Sequence, residues 1–365
     1  MFRKVYAIEL YQYPTSKEEA EEDRQELEKL VTSAGYFMAG SEAYQLREIH
    51  PRTCIGPGKL EQLKEVVEEN NIDLIILDFP IKPYALKYVE DFFNVEVADR
   101  TRLILEIFKK RATSAEGKLQ VELAEAKYEL GRLVGKGLGK QLSRLGGGIG
   151  TRGPGEQHME KLKRAYARKM KTLKDKLKSV EKTRHQHYHE RKEQGFPQIA
   201  LVGYTNAGKS SLLNTLSGSS VQAKNELFTT VDPTTRKIHI NNQDILITDT
   251  VGFIKKLPTQ LVEGFESTLE QVTLSDLILV VIDRTDENYT EKEERVFEVL
   301  RKLHNTTPIL KVYNKIDTLE EPYKRDPEAI YISCKQKTNI DTLKEKMSNF
   351  LASKYPQIKP VPIAD

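Results

Sequence analysis

The chain has 365 residues, 38% hydrophobic and 30% charged; at about 150 residues per domain this means two or three domains with enough apolar side chains for proper cores, which excludes wholesale disorder. No run of eighteen uninterrupted apolar residues occurs, and the opening MFRKVYAIEL lacks a signal-peptide core, so the expectation is a cytoplasmic protein with no membrane-spanning segment. Two cysteines, Cys54 and Cys334, are too few for a disulfide framework or a zinc cage and fit a reducing compartment.

The net charge of +3 is an average over unequal parts. Residues 131–195 carry eighteen Lys or Arg against six Asp or Glu, and the remainder of the chain is acidic. A concentrated positive field on an acidic protein is the electrostatic footprint of a polyanion partner. A solvated, lysine-rich helix face is the plainer alternative.

Taken in order, Val5–Leu10 reads as a strand, Ser16–Val31 as a helix, 59–70 as a helix, Ile72–Phe79 as a buried strand and Val95–Ala98 as another strand. Strands alternating with helices predict a small α/β domain with a mainly parallel sheet. The turn Gly56-Pro57-Gly58-Lys59 lacks the spacing of a nucleotide loop and reads as a structural turn. From Arg102 to about Arg144 the chain reads as helical, with a heptad seam through Leu119, Leu123, Ala126, Leu130 and Leu133. A second seam runs through Met159, Leu162, Tyr166, Leu173, Leu177 and Val180.

Between the seams lies LGGGIGTRGPGE, residues 145–156. Glycine costs about 1 kcal/mol per helical position and proline about 3, so this stretch stops a helix. Two seams flanking one breaker predict an antiparallel helical hairpin. Bare backbone at Gly146, Gly147, Gly148 and Gly153, with Thr151 and the guanidinium forks of Arg144 and Arg152, suits close approach to RNA phosphates or bases. A merely loose turn is the alternative. His185, His187 and His189 alternate along the second arm, and alternate residues of a helix do not share a face, so a metal tract is not expected there.

Beyond Gly195-Phe196-Pro197 the sequence carries chemistry. A short apolar strand, Gln198–Val202, runs into Gly203-Tyr204-Thr205-Asn206-Ala207-Gly208-Lys209-Ser210, with a helix opening at about Ser211. This strand–loop–helix context is the one a phosphate loop requires: backbone N–H groups and the helix N-terminus cradle the α- and β-phosphates. Lys209 reaches the β/γ oxygens and the Ser210 hydroxyl ligates Mg²⁺. A second strand, Asp244–Thr248, ends in Asp249-Thr250-Val251-Gly252, placing an acid to hold Mg²⁺ through water and a glycine N–H to sense the γ-phosphate. A third strand covers Leu277–Ile282. A fourth, Ile309–Tyr313, ends in Asn314-Lys315-Ile316-Asp317. The Asp317 carboxylate can accept both donors of the guanine edge, which adenine lacks. Ser333-Cys334-Lys335 fits the last base-contacting loop. In the segment Phe228-Thr229-Thr230-Val231-Asp232-Pro233-Thr234-Thr235-Arg236 one threonine should ligate Mg²⁺, and spacing alone does not choose among the four.

The combination of GYTNAGKS at 203–210, FTTVDPTTR at 228–236, DTVGF at 249–253, NKID at 314–317 and the tip GGGIGTRGPGE at 146–156 resembles the HflX family of translational GTPases. The tip is the family-specific element, since Obg- and Era-type GTPases share the other motifs. The resemblance implies binding of the large ribosomal subunit and its RNA through the N-terminal domain and hairpin, subunit dissociation or rescue under stress, and slow Mg²⁺-dependent GTP hydrolysis with Lys209, Thr230 and Gly252 in the catalytic roles. It singles out Thr230 as the Mg²⁺-ligating threonine. It also matches Asn206 to an asparagine that supports K⁺ in some relatives, with an ordinary turn hydrogen bond as the alternative. Phe253 stands where Ras-like proteins place a water-orienting glutamine, so intrinsic hydrolysis should be slow.

The sequence departs from the family after Glu156, where it reads QHMEKLKRAYARK. It also ends about a dozen residues past the last predicted helix, so the C-terminal domain of many members is expected to be missing. The expected architecture is therefore an N-terminal α/β domain (1–100), a hairpin (101–195), a P-loop GTPase domain with a mainly parallel sheet and helices on both faces (196–353), and a short tail (354–365). The expected protein is monomeric off the ribosome and does not bind DNA. An Obg/Era-type ribosome-assembly GTPase and an RNA-remodelling ATPase are the alternatives.

Overall fold

The computed structural model describes residues 3–50, 53–79, 81, 83–135, 154–219, 226–241, 243–256, 272–303, 306–319, 326–352 and 354–355. The chain divides into two compact units. One is built mainly on Met1–Lys110 and Lys118–Leu177, the other on Arg111–Gly117, Lys178–Leu257 and Phe265–Asp365.

In the first unit the elements are β1 (Lys4–Tyr11), α1 (Lys17–Ser33), β2 (Phe37–Gln45), α2 (Pro57–Asn70), β3 (Leu74–Asp78), α3 (Pro83–Phe93), β4 (Glu96–Asp99) and α4 (Arg100–Arg111). The four strands pair in parallel in the order β2-β1-β3-β4. Every residue of β3 is buried, as a central parallel strand requires. Ser16 caps α1 by accepting from the Glu19 N–H at 3.0 Å, with Glu18 and Glu19 in the first turn favourable to the helix dipole. Gly56-Pro57 opens α2 with proline at its first position. Ile8, Leu63, Val67, Ile75, Leu77, Leu86 and Val89 form one core with these helices.

The helix expected from 102 to about 144 is two helices. After α4 the chain breaks at 112–114, and α5 spans Ala115–Gly135. No glycine or proline marks the break; the Ser114 hydroxyl accepts from the Gly117 N–H at 2.8 Å and so starts a new helix. On α5 the buried stripe includes Gln120, Val121, Ala124 and Tyr128 beside Leu123 and Ala126, whereas Leu119 and Leu130 of the expected seam are only half-buried. α6 runs Pro154–Glu193, and its less exposed stripe follows Met159, Leu162, Tyr166, Leu173, Leu177 and Val180 as the periodicity predicts. Lys169 of α6 pairs with Glu122 of α5 at 2.9 Å, and Arg184 pairs with Glu116. Later residues of α6 meet earlier ones of α5, the order of an antiparallel pair.

The second unit holds β5 (Gln198–Val202), α7 (Lys209–Ser217), β6 (Thr234–Ile240), β7 (Gln243–Asp249), β8 (Leu277–Asp283), α8 (Tyr289–Lys302), β9 (Ile309–Asn314), β10 (Ile330–Tyr331) and α9 (Ile340–Ala352). Its six strands lie in the order β10-β9-β8-β5-β7-β6. All pairings are parallel except β6 with β7. Apolar side chains cover both faces: Leu201, Leu279, Leu310 and Met347 belong to one cluster, and Val202, Val280, Ile282 and Tyr313 to the other. The carboxyl ends of β5, β7 and β9 therefore emerge together at one edge, where parallel α/β sheets hold their ligands.

Candidate active site

The buried strand β5 ends at Val202, and the next residues form a loop in which two positions, Gly203 and Gly208, leave no room for a side chain. A Cβ on Gly203 would stand 2.2 Å from the Val281 carbonyl oxygen. Gly208, at φ +96°, is left-handed, and a Cβ there would meet Asn314 Nδ2 at 2.2 Å. Lys209, the first residue of α7, is only 6% exposed. Its Nζ donates to the carbonyls of Gly203 at 3.1 Å and Tyr204 at 2.8 Å. Burial brings the Lys209 ammonium down to about 8 although the Asp249 charge opposes the change. The loop thus holds a buried cation aimed at its own backbone, the arrangement that an incoming polyanion satisfies better.

Three oxygens converge beside it. Ser210 Oγ donates to Asp249 Oδ2 at 2.6 Å, Thr230 Oγ1 donates to the same oxygen at 2.8 Å, and the two hydroxyls stand 2.9 Å apart. Asp249 is 1% exposed, and its Oδ1 has no hydrogen-bond partner among the described residues. A buried carboxylate oxygen left open beside two hydroxyls is a hard donor set suited to a small divalent cation. Of the four threonines between Phe228 and Arg236, Thr230 is the one the fold brings to Asp249. Thr235 bonds Thr248 at 2.8 Å and Thr234 turns back to the Asp232 carbonyl, while Thr229 is exposed. Phe228, at φ +56°, and Val231 are each 2% exposed and anchor the segment around Thr230.

The 249–253 stretch is tied to the loop by backbone. Phe253 donates to the Gly203 carbonyl at 3.1 Å and its own carbonyl accepts from Thr205 at 2.7 Å. The Phe253 ring joins the apolar cluster with Val202 and Tyr204. Thr250 donates to the Leu201 carbonyl at 2.7 Å. A Cβ on Gly252 would lie 2.9 Å from Lys209 Nζ, so this glycine backbone comes close to the buried lysine. Asn206 is exposed and left-handed at φ +63°, a turn role whatever else it does.

At the carboxyl end of β9 Asn314 is 3% exposed and works as a strut. Its Nδ2 donates to the Ala207 carbonyl at 3.1 Å, and its Oδ1 accepts from the Cys334 N–H at 3.2 Å. Asp317, in a short 3-10 turn with Ile316, accepts from Ser333 Oγ at 2.7 Å, which orients one oxygen. Lys315 pairs with Asp283, the last residue of β8, at 2.5 Å. Sequence reasoning missed Asp283; its position at the end of the third predicted strand was the available signal. Burial pushes the Cys334 thiol up to about 12, and the opposing hydrogen bond from Thr215 is the smaller effect, so this cysteine contributes its backbone and bulk rather than a thiolate. Lys335 is exposed beside it.

Asp232, expected among the nucleotide contacts, places both carboxylate oxygens on Thr113 and Ser114 instead. The tip residues Arg144, Gly146, Gly147, Gly148, Thr151, Arg152 and Gly153 lie outside the described residues.

Three family profiles match the chain in succession: one described as GTP-binding GTPase N-terminal over residues 21–109, one as GTP-binding GTPase middle region over 111–191, and one as 50S ribosome-binding GTPase over 198–315. The chain is 47% identical to GTPase HflX of Caldanaerobacter subterraneus subsp. tengcongensis over 338 residues, covering 92% of this chain and 78% of that protein. It is 38% identical to GTPase HflX of Escherichia coli K12, covering 92% and 80%. The chain belongs to the HflX family of GTPases. A GTP-binding protein of Sulfolobus solfataricus solved with GDP matches with a TM-score of 0.50 and 28% identity over 97% of this chain and 100% of that one. As an HflX-family GTPase the protein binds guanine nucleotide and hydrolyses GTP. Among the described residues no helix is long and apolar enough to cross a membrane.

Proposed function

We propose that this GTPase binds the large ribosomal subunit through its N-terminal α/β domain and helical hairpin, gripping ribosomal RNA, and that the bound nucleotide decides when the grip is released. Splitting or rescue of stalled ribosomes under stress is the use this implies. The observation that carries the reading is the match of residues 198–315 to the 50S ribosome-binding GTPase profile. The long basic arm supports it: Lys161, Lys163, Arg164, Arg168, Lys169, Lys171 and Lys174 are all exposed on α6, and such a face neutralises phosphates at low desolvation cost. The tip at 144–153 is assigned to closest RNA contact by its glycines and by Arg144 and Arg152.

In this reading Lys209 exchanges the carbonyls of Gly203 and Tyr204 for the β- and γ-phosphate oxygens, while loop N–H groups hold the α- and β-phosphates. Asp317 accepts from the guanine edge with Ser333 fixing its rotamer. Ser210, Thr230 and Asp249 would hold Mg²⁺, the aspartate through water; when bound, the ion neutralises charge on the β- and γ-oxygens. Asn206 is the candidate ligand for a K⁺ ion. Thr230 and Gly252 are held by the γ-phosphate in one state and released after hydrolysis, the order–disorder change of a nucleotide switch. Phe253 is buried and cannot orient water, so turnover is slow until a partner supplies the missing group.

The test is sedimentation of the full chain with purified large subunits in GDP and in a non-hydrolysable GTP analogue. Pelleting with mature subunits in the triphosphate state and release in GDP is expected. Identical pelleting in both nucleotides sinks the switch, and capture of assembly intermediates alone reassigns the protein to subunit assembly.

A further inference from the structure

Residues 111–117 precede and open the first hairpin arm in sequence, yet they group with the nucleotide-binding unit rather than with the residues on either side of them. The reason is a set of hydrogen bonds to the segment that carries Thr230. At one end Arg111 donates to the Leu227 carbonyl at 2.5 Å and to Glu226 Oε2 at 2.7 Å. At the other end Asp232 Oδ2 accepts from the Thr113 N–H at 2.6 Å, the Thr113 hydroxyl at 2.8 Å and the Ser114 N–H at 2.7 Å, while Oδ1 accepts from the Ser114 hydroxyl at 2.6 Å.

The fit at Asp232 is tight. A Cβ on Gly117 would lie 1.9 Å from Asp232 Oδ1, so the first turn of α5 is kept bare where the carboxylate sits. The Ser114 hydroxyl accepts from Gly117 as it donates to Asp232, so a single side chain both starts α5 and holds the segment. Burial of Asp232 favours its neutral form, but the hydrogen bonds from Ser114 and Thr113 outweigh this and keep the carboxyl below its ordinary range. A charged carboxylate at the N-terminus of a 21-residue helix also gains from the helix dipole.

Between these two anchor points the chain can place few residues, and Thr230 is two before Asp232. We propose that Arg111, Thr113, Ser114 and Asp232 are positioning residues for GTP hydrolysis: by clamping both ends of residues 226–232 they hold Thr230 against Asp249 and Ser210. Hydrolytic competence then depends on the root of the hairpin arm, and loosening that root withdraws Thr230 without touching the phosphate loop. GDP, which needs the loop and the base site, is indifferent to the clamp. GTP turnover is not.

The experiment uses the full chain with three variants: Asp232→Ala, Gly117→Ala and Ser114→Ala. Steady-state hydrolysis and the affinities for fluorescent GDP and for a fluorescent non-hydrolysable GTP analogue are measured together, with circular dichroism to establish folding. A roughly tenfold fall in kcat with GDP affinity within about twofold of the parent is the expected result, because the clamp holds Thr230 for hydrolysis and touches neither the loop nor the base site on which GDP relies. Ser114→Thr, which keeps the hydroxyl, restores kcat, and the Asp232→Ala/Ser114→Ala double variant is no worse than Asp232→Ala alone. Parental kcat in folded Gly117→Ala and Ser114→Ala overturns the proposal. An equal fall of GTP and GDP affinity in Asp232→Ala also overturns it, since that places the carboxylate on the nucleotide. Because every readout is made without ribosomes, none depends on the proposed partner.

Discussion

The described residues form two α/β sheets, one wholly parallel and the other parallel except for β6, and their carboxyl edges are finished in opposite ways. In the four-stranded sheet, Asp78 and Asp99 end β3 and β4 and are answered by built-in partners. Arg100 bonds Asp78 at 2.7 Å and reaches Glu26, and Tyr128 donates to Asp99 at 3.0 Å. Burial raises the Asp99 carboxyl, with the Arg102 N–H and the Tyr128 hydroxyl opposing. Asp78 and Arg100 are both about 5% exposed, so at the ends of β3 and β4 the carboxylates are met by side chains of the same unit. In the six-stranded sheet the same edge is lined by glycine backbone, a buried lysine bonded only to carbonyls by its described contacts, and a carboxylate oxygen without a described partner. The architecture is shared and the chemistry is not, because a site consists of unmet demands at an edge rather than of the edge itself.

The contrast can be broken most severely at Lys209. Lys209→Ala should lower GTP turnover by about a hundredfold or more while the fold survives, since it removes the charge that meets the β/γ oxygens; turnover and circular dichroism on one preparation check it. Arg100→Met is the counterpart in the other sheet. It strands Asp78 and Glu26 and should destabilise the chain by about 3–5 kcal/mol in denaturant unfolding, with GDP affinity unchanged. A loss of nucleotide affinity there would show that the closed edge takes part in binding after all.

Asp317→Asn should weaken GTP binding by about a hundredfold and shift preference toward xanthosine nucleotides, because the guanine donors lose their acceptor; competition between the two nucleotides reads it. The pH dependence is a gentler probe. The protonated lysine is the form suited to phosphate, and burial brings Lys209 down to about 8 without a ligand. The phosphates of bound GDP raise that value, so GDP affinity should be level below pH 8 and fall by up to about tenfold per unit above it. A flat profile from pH 8 to 9.5 would show the lysine stays charged without ligand. Smallest is the hairpin tip: neutralising Arg144 and Arg152 should flatten the salt dependence of ribosome binding by about 0.7 per lost contact to single-stranded RNA.

Much of the nucleotide site was legible because each of its motifs is short, ends a strand and carries an obligatory residue type. Lys209, Asp249, Asn314 and Asp317 all fall where the alternation of apolar runs and loops put them. The strands that escaped notice were the edges. β2, with Gly40, Ser41 and Glu42 in its middle, has no apolar run because its outer side meets solvent. β6 sits among the threonines and charges of 234–240 and is half exposed, and it is recognised as a strand only through its antiparallel pairing with β7. α3, Pro83–Phe93, was passed over between two strands that were read. The break at 112–114 carries no glycine or proline, and its local signal was the Ser114 cap that opens α5; what the sequence could not show is that Asp232, more than a hundred positions away, bonds Thr113 and Ser114 there.

The sequence by itself determined the GTPase family and its guanine nucleotide, the order of the loop and strand-end motifs, and the basic stretch of 131–195, since these follow from local periodicity and from residues whose chemistry has few substitutes. Only the tertiary structure decided which of four threonines faces Asp249, that Phe253 is buried, and that the root of the first arm holds the segment carrying Thr230. Those outcomes depend on which distant backbone a side chain can reach, and hydrogen bonds act over about 3 Å in space regardless of separation along the chain.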